Sequence, residues 1–259
     1  MSRESEVWRQ LGTVNDPELD ESVTELRFVT AVSINATGAV HVTFRLPTYW
    51  CAANFAFLMA EDMRLAVAAL PWVTDVQVVL GEHMYAETIN TGIAAKRSFQ
   101  SSFGEASDGD LETVRRTFLV KAFQRRQVTL VERLLATGHT AEGLALLSIA
   151  SLQNLGQDDA LTSLVARYLD RRAIVGPMTA TAPAFVDDKG QAVPPEAFRP
   201  HIRALRRVAV NVEFNGALCR GLLAARFNEA ESEPGEPGLL HFIHALPADK
   251  RSGETPWPK

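Results

Sequence analysis

The spacing of apolar residues changes once along this chain, and that change limits what it can fold into. Up to residue 97 apolar and polar residues alternate in short runs between helical stretches; beyond residue 110 apolar residues recur every three to four positions. Val40, Val42, Phe44 and Leu46 alternate with Ala39, His41, Thr43 and Arg45, the pattern of a strand buried on one face. Leu26 to Ile34 alternates more loosely, with Phe28, Ala31 or Val32, and Ile34 facing inward. Ala36-Thr37-Gly38 lies between the two runs, so a hairpin is predicted. Glu6 to Val14 ahead of it predicts a short helix with Val7, Trp8, Leu11 and Val14 on one face. Behind it, Ala52 to Leu70 predicts a helix with Phe55, Leu58, Met59, Met63, Val67 and Leu70 on its apolar side, ended by Pro71-Trp72. Val73 to Leu80 predicts a third strand, and Tyr85 to Arg97 one more helix. The order helix, hairpin, helix, strand, helix is that of an α+β domain over residues 1–97.

Residues 98–110 are small and polar and predict a linker. Asp110 then stands as N-cap of a helix from Leu111 to about Thr137, stopped by Gly138. Thr140 to Leu155 and Asp158 to Arg172 predict two further helices, and 176–196, with four prolines and two glycines, an irregular connection. Pro195 to about Ala230 predicts a long helix interrupted near Asn215-Gly216. Residues 111–230 thus form an all-α bundle, and 231–259, rich in proline, glycine and charge, a tail.

Charge is unevenly spread. The net charge is −5, and residues 1–104 carry 7 basic and 12 acidic groups, so the acidic excess sits in the first domain. This argues against nucleic acid as a partner. No apolar run approaches the ~18 residues that cross a bilayer. The start, Met-Ser-Arg-Glu-Ser-Glu, lacks the apolar core of a signal peptide, and two distant cysteines give no disulfide framework; both predict a reducing, cytoplasmic setting. Arg115-Arg116, Lys121, Arg125-Arg126 and Arg133 run along the first bundle helix, and Arg199, Arg203, Arg206 and Arg207 along the last. Such rows are ordinarily solvated faces; docking onto an acidic surface, this chain's first domain or a client, is the alternative. Glu61-Asp62 are expected to face solvent.

Cys51 stands where the strand pattern stops and a helix pattern begins. Unpaired N–H groups and the positive end of a helix favour thiolate there, the form that binds metal or attacks electrophiles. Upstream, Asp16 precedes Pro17-Glu18, and its carboxylate can accept bonds from the N–H groups that follow. Downstream, Cys219 lies in an apolar helical stretch with no second cysteine near it in sequence, which predicts packing. His241 and His244 have a loose metal-ligand spacing without a carboxylate or cysteine partner, and His139 and Glu142 fit the start of a solvated helix. The chain has no paired Glu and Glu-x-x-His motifs of di-iron carboxylate proteins, no phosphate-binding loop and no nucleophile elbow.

Five pieces in order carry a resemblance: Asp16-Pro17-Glu18, Ser22 to Val29, the Gly38 hairpin, Cys51, and Leu70-Pro-Trp-Val-Thr-Asp-Val76. Over residues 5 to 95 the chain resembles the iron–sulfur cluster assembly (metal–sulfur cluster biosynthetic factor) domain family, one branch of which is accessory to the phenylacetate-ring oxygenase. The resemblance implies a role for Cys51 in holding a labile iron–sulfur cluster or its iron, often across a dimer. The family's usual Thr four residues before the cysteine is replaced by Pro47, which leaves Thr48 as the nearby hydroxyl and sets Tyr49-Trp50 beside the thiol. Thr48, Tyr49 and Trp50 are accordingly expected to form a partner-docking patch.

The resulting expectation is an accessory protein of metal-centre maturation, not an enzyme. Cys51 takes iron or a cluster transiently and delivers it to a client metalloprotein, a di-iron monooxygenase among the candidates. One cysteine cannot fill a cluster's four protein sites, so a second subunit, a small thiol or the client completes them. The alternative is a dedicated folding or assembly partner of a di-iron oxygenase that carries no metal. A thiol enzyme is disfavoured because no general base is visible.

Overall fold

The structure is a computed structural model that describes residues 2–104, 111–155 and 158–227. Helix α1, Arg3–Leu11, opens on Ser2, whose hydroxyl accepts from the Ser5 N–H, and buries Val7 and Leu11. Strands β1, Val29–Ile34, and β2, Ala39–Phe44, form the expected antiparallel hairpin. Its turn needs glycine: Gly38 has φ +89°, and a Cβ there would lie 2.7 Å from the Trp72 carbonyl. Along β2 burial alternates as the sequence predicts. In β1 a bulge between Val29 and Ala31 resets the alternation, so that Val29, Val32 and Ile34 turn inward and Ala31 outward.

Helix α2, Ala53–Ala68, crosses over to β3, Asp75–Leu80, which pairs parallel with β2 in the order β1-β2-β3. Helix α3, Ala86–Ala94, packs on β3, and the Asn90 amide closes the strand end by accepting from Leu80 N–H and donating to Leu80 C=O. Val7, Leu11, Val42, Phe44, Phe57, Met63 and Ile89 share one core. The stretch expected to be a linker begins with a short helix, α4, Phe99–Phe103, whose Phe99 lies edge-on to Phe57 in that core.

The remainder is helical, as expected. Helix α5 spans Leu111–Ala136; Asp110, its expected cap, lies outside the described residues. The single helix expected over 140–155 is two, α6 (Ala141–Ala145) and α7 (Ile149–Gln153). The break is tertiary: the backbone around Ser148 pairs with the irregular 176–194 segment, Ile149 N–H donating to Ala182 C=O and Ala184 N–H to Leu147 C=O. Helix α8, Asp159–Arg172, starts on the Asp158 carboxylate. Helix α9, Pro195–Arg226, runs unbroken through Asn215-Gly216, contrary to the expected interruption. Phe123, Val131, Leu134, Leu144, Tyr168, Phe185, Phe198 and Ile202 form a second core. The expected tail, residues 231–259, with His241 and His244, lies outside the described residues.

The two cores meet along a seam of ion pairs. Arg115 holds Asp62 with two bonds of 2.7 and 2.9 Å, so Asp62 is not solvent-facing as expected but pairs with α5. Beside it Phe55, on the predicted apolar face, meets Phe118 edge-on at 4.7 Å, and α2 is buried beyond that face because Phe57, on the other side, packs against Phe99. Arg126 and Arg171 converge on the buried Asp20 carboxylate, and Arg125 and Arg220 approach Glu21. Half of the basic row on the first bundle helix, Arg115, Arg125 and Arg126, therefore pairs with this chain's own acidic domain.

Candidate functional site

Because β2 and β3 are parallel, their C-terminal ends lie at the same sheet edge, and the loops that follow them, residues 45–52 and 81–85, adjoin. Cys51 sits in the first of these loops, ahead of the Ala52 cap of α2, and is partly buried. Ala52 offers no side chain to the helix start, and within the first turn the Asn54 side chain accepts from the Phe55 N–H at 2.8 Å. The Thr48 hydroxyl lies 3.0 Å from Cys51 Sγ, where it can donate to a thiolate. The hydroxyl that the Pro47 substitution displaces is thus supplied one residue later.

His83, on the second loop, was not singled out in sequence. Its Nδ1 accepts from the Tyr85 N–H at 3.1 Å, which leaves Nε2 to donate to the Cys51 carbonyl at 2.8 Å. Burial first, and the nearby Arg226 charge, push its pKa below the usual histidine value, so the ring holds the Cys51 backbone as a neutral imidazole. The signal that could have found it is topological: a polar residue just after a strand parallel to the one that delivers the cysteine.

Asp16 is buried, and its Oδ1 accepts from the N–H groups of Glu18 and Leu19 at 2.9 and 2.7 Å, as the sequence predicts. Burial pushes its pKa up to about 6, against the pull of those two N–H groups, with Glu18 and Glu21 adding to the rise. Glu18 accepts from the Asn215 amide of α9 at 2.9 Å. Asp16-Pro17-Glu18 therefore shapes a loop and receives the last helix.

Cys219 is the larger surprise. It packs on the first core, not the bundle core, between Asn215 on Glu18 and the buried Leu223. Burial pushes its thiol up to about 11, and the charges of Asp16, Cys51 and Glu18 add to the rise. The structure thus packs both cysteines against one core, a placement that sequence distance concealed.

Around Cys51 the surface is apolar. Tyr49 is 51% and Trp50 72% exposed, and Met84 and Tyr85 on the neighbouring loop are exposed as well. The loops are tied together by Met84 N–H donating to the Tyr49 carbonyl. A cleft of about 320 Å³ at the seam is lined by Asp16, Pro17, Asp62, Arg115 and Arg171 but by neither cysteine. Among the described residues no group of three or more His, Cys, Asp and Glu side chains stands ready to hold a metal ion, and no helix is long and apolar enough to cross a membrane.

Compared with known proteins, residues 4–79 match the family model described as iron–sulfur cluster assembly protein, so Cys51 lies inside the matched region and Cys219 outside it. No curated protein matches the chain.

Proposed function

From the premise that residues 4–79 form a domain of the iron–sulfur cluster assembly protein family, we propose that this chain is an accessory factor for the maturation of a metal centre, with iron or an iron–sulfur cluster as its cargo. The observation that carries the reading is the setting of Cys51: a half-buried sulfur faced by the Thr48 hydroxyl, on backbone held by His83, within that domain. A donor to sulfur stabilises the thiolate, and soft thiolate ligands select iron–sulfur centres over hard cations. Partial exposure leaves the sulfur reachable by a second protein.

Transfer is then ligand exchange. A thiolate or carboxylate of the client takes a coordination position on iron, and Cys51 leaves as thiolate, with no net redox change. The exposed Tyr49 and Trp50 suit a docking role beside the sulfur, since exposed aromatics supply contact area at small entropic cost. The client is a metalloprotein, with di-iron monooxygenases among the candidates, and the factor works without catalytic turnover in a cytoplasmic setting. A homodimer is one way of supplying further ligands.

The test is anaerobic incubation with ferrous iron and sulfide. The wild-type chain is expected to retain iron and sulfide with visible charge-transfer absorption, and Cys51→Ser to lose both. Equal retention by the two proteins, or retention by neither, refutes the carrier reading. A second reading, an assembly partner that holds an oxygenase without carrying metal, is favoured by the exposed Tyr49 and Trp50 beside the sulfur. It predicts client co-purification that survives Cys51→Ser and fails when Tyr49 and Trp50 are both changed to alanine.

A further inference from the structure

We propose that the cleft at the seam is a binding site for a primary ammonium group on an aliphatic stem, with the Asp16 carboxylate as its counter-ion. The cleft, of about 320 Å³, has the size that takes a small organic molecule. Its apolar walls come from both domains, Leu58 and Leu65 on α2 and Phe118 on α5. Leu65 is 52% exposed, so this wall reaches the surface and a ligand can enter along it. The charges in the cleft leave one carboxylate over. Asp62 is held by the Arg115 fork at 2.7 and 2.9 Å, and Asp20 by Arg171 at 2.9 and 3.1 Å and by Arg126. Asp16 has no such partner. Both of its bonds, from the Glu18 and Leu19 N–H groups, fall on Oδ1, and its Oδ2 accepts from no group among the described residues. Asp16 is only 8% exposed, yet Oδ2 is not sealed within the protein, which leaves it open to the cleft that Asp16 lines.

A largely buried anionic oxygen is matched by a ligand that brings both a positive charge and N–H donors. An anionic ligand has no unpaired cation to meet, because Arg115 and Arg171, the two guanidinium groups that line the cleft, already face carboxylates. Leucine and phenylalanine walls suit a hydrocarbon stem better than a hydrated metal ion. Around Asp16 stand Glu18 and Glu21 on its own loop, Asp62 on α2, Arg115 on α5, Arg171 on α8 and Cys219 on α9. Burial makes ionised Asp16 unfavourable, and a bound ammonium offsets that penalty. Two sources carry this chemistry, a free alkylamine and the lysine side chain of a partner protein. The site does not rest on the carrier reading of Cys51: amine binding and iron retention are separate measurements, and either can fail alone.

The test is titration calorimetry of the full-length chain at pH 8 with n-pentylammonium chloride as the probe. Saturable binding at one site is expected, and 1-pentanol and pentanoate, which share the stem without the positive charge, should not compete. Asp16→Asn should weaken binding at least about tenfold, the scale of one hydrogen bond to a charged group. Melting curves show whether the variant is folded; independently of it, protonating Asp16 of the wild type at pH 4.5 should weaken binding at least about tenfold while the amine stays charged. Nα-acetyl-lysine methylamide distinguishes the sources: binding as tight as that of the probe assigns the site to a partner's lysine, and its exclusion while the probe binds assigns it to a free amine. No saturable binding of either amine, or binding unchanged both by folded Asp16→Asn and by the fall in pH, overturns the proposal.

Discussion

Asp16→Asn should stabilise the protein at neutral and alkaline pH, although it removes a charge that accepts two backbone hydrogen bonds. The folded-state carboxyl titrates at about 6 instead of the ordinary 3.8, chiefly because it is buried. The folded chain therefore holds this proton more tightly than the unfolded one. The associated stability is full below 3.8 and is lost as the pH rises through about 6. At pH 8 the ionised Asp16 costs roughly 3 kcal/mol relative to its protonated form, at about 1.4 kcal/mol per pH unit. Asparagine reproduces the protonated shape and keeps an oxygen for the Glu18 and Leu19 N–H groups. The gain should approach that figure at pH 8 and shrink to about 1 kcal/mol at pH 4.5. For a chain of this size it corresponds to a rise in Tm of roughly 6–12 °C at the higher pH. Paired thermal melts of wild type and variant across that range measure the difference directly, which cancels the titration of all other groups. A variant no more stable than wild type at pH 8, or a gain that does not decline with falling pH, refutes the reasoning.

Cys51 should be alkylated at least about tenfold faster than Cys219 at pH 8, because the Cys219 thiol is pushed up to about 11 and the thiolate is the reacting form; mass spectrometry after brief iodoacetamide treatment reads both sites. Asp20→Ala should cost about 3–5 kcal/mol, since it leaves the buried ends of Arg126 and Arg171 without their shared carboxylate; urea unfolding measures it. Changing Tyr49 and Trp50 to alanine should move stability by no more than about 0.5 kcal/mol per site while abolishing client co-purification, and a large loss of Tm would make them structural.

What could be seen in sequence was whatever a local period encodes. The alternation of Val40, Val42 and Phe44 placed β2, the apolar spacing after Ala52 placed α2, and their junction placed Cys51 at the sheet edge. The rest depends on contacts between distant segments. Nothing near residue 147 says that Ala182 and Ala184 will take its hydrogen bonds and divide α6 from α7. Asn215-Gly216 looks like a helix break until Glu18 accepts the amide and Leu19 fills the space beside the glycine. Asp62 looks solvated until Arg115 arrives, 53 residues later. His83 and Cys219 belong to the same class: His83 reaches the Cys51 carbonyl, and Cys219 the first core, through tertiary structure alone.

Helix α9 has 32 residues, a rod of about 48 Å at 1.5 Å per residue. Its early turns, through Phe198, Ile202 and Leu205, are gripped by the bundle core, and its last turns by the first core at Leu223. Such a rod behaves as a lever with Ile202 near its fulcrum and Cys219 about 25 Å out along the arm. One degree of tilt at the bundle end would displace the Cys219 backbone by about 0.4 Å, a movement that the burial of Leu223 and the Arg226 bonds to Leu46 and Glu82 oppose. The two grips therefore couple the bundle to the Cys51 loop: loosening either core frees the rod that Arg226 ties to the Leu46 carbonyl.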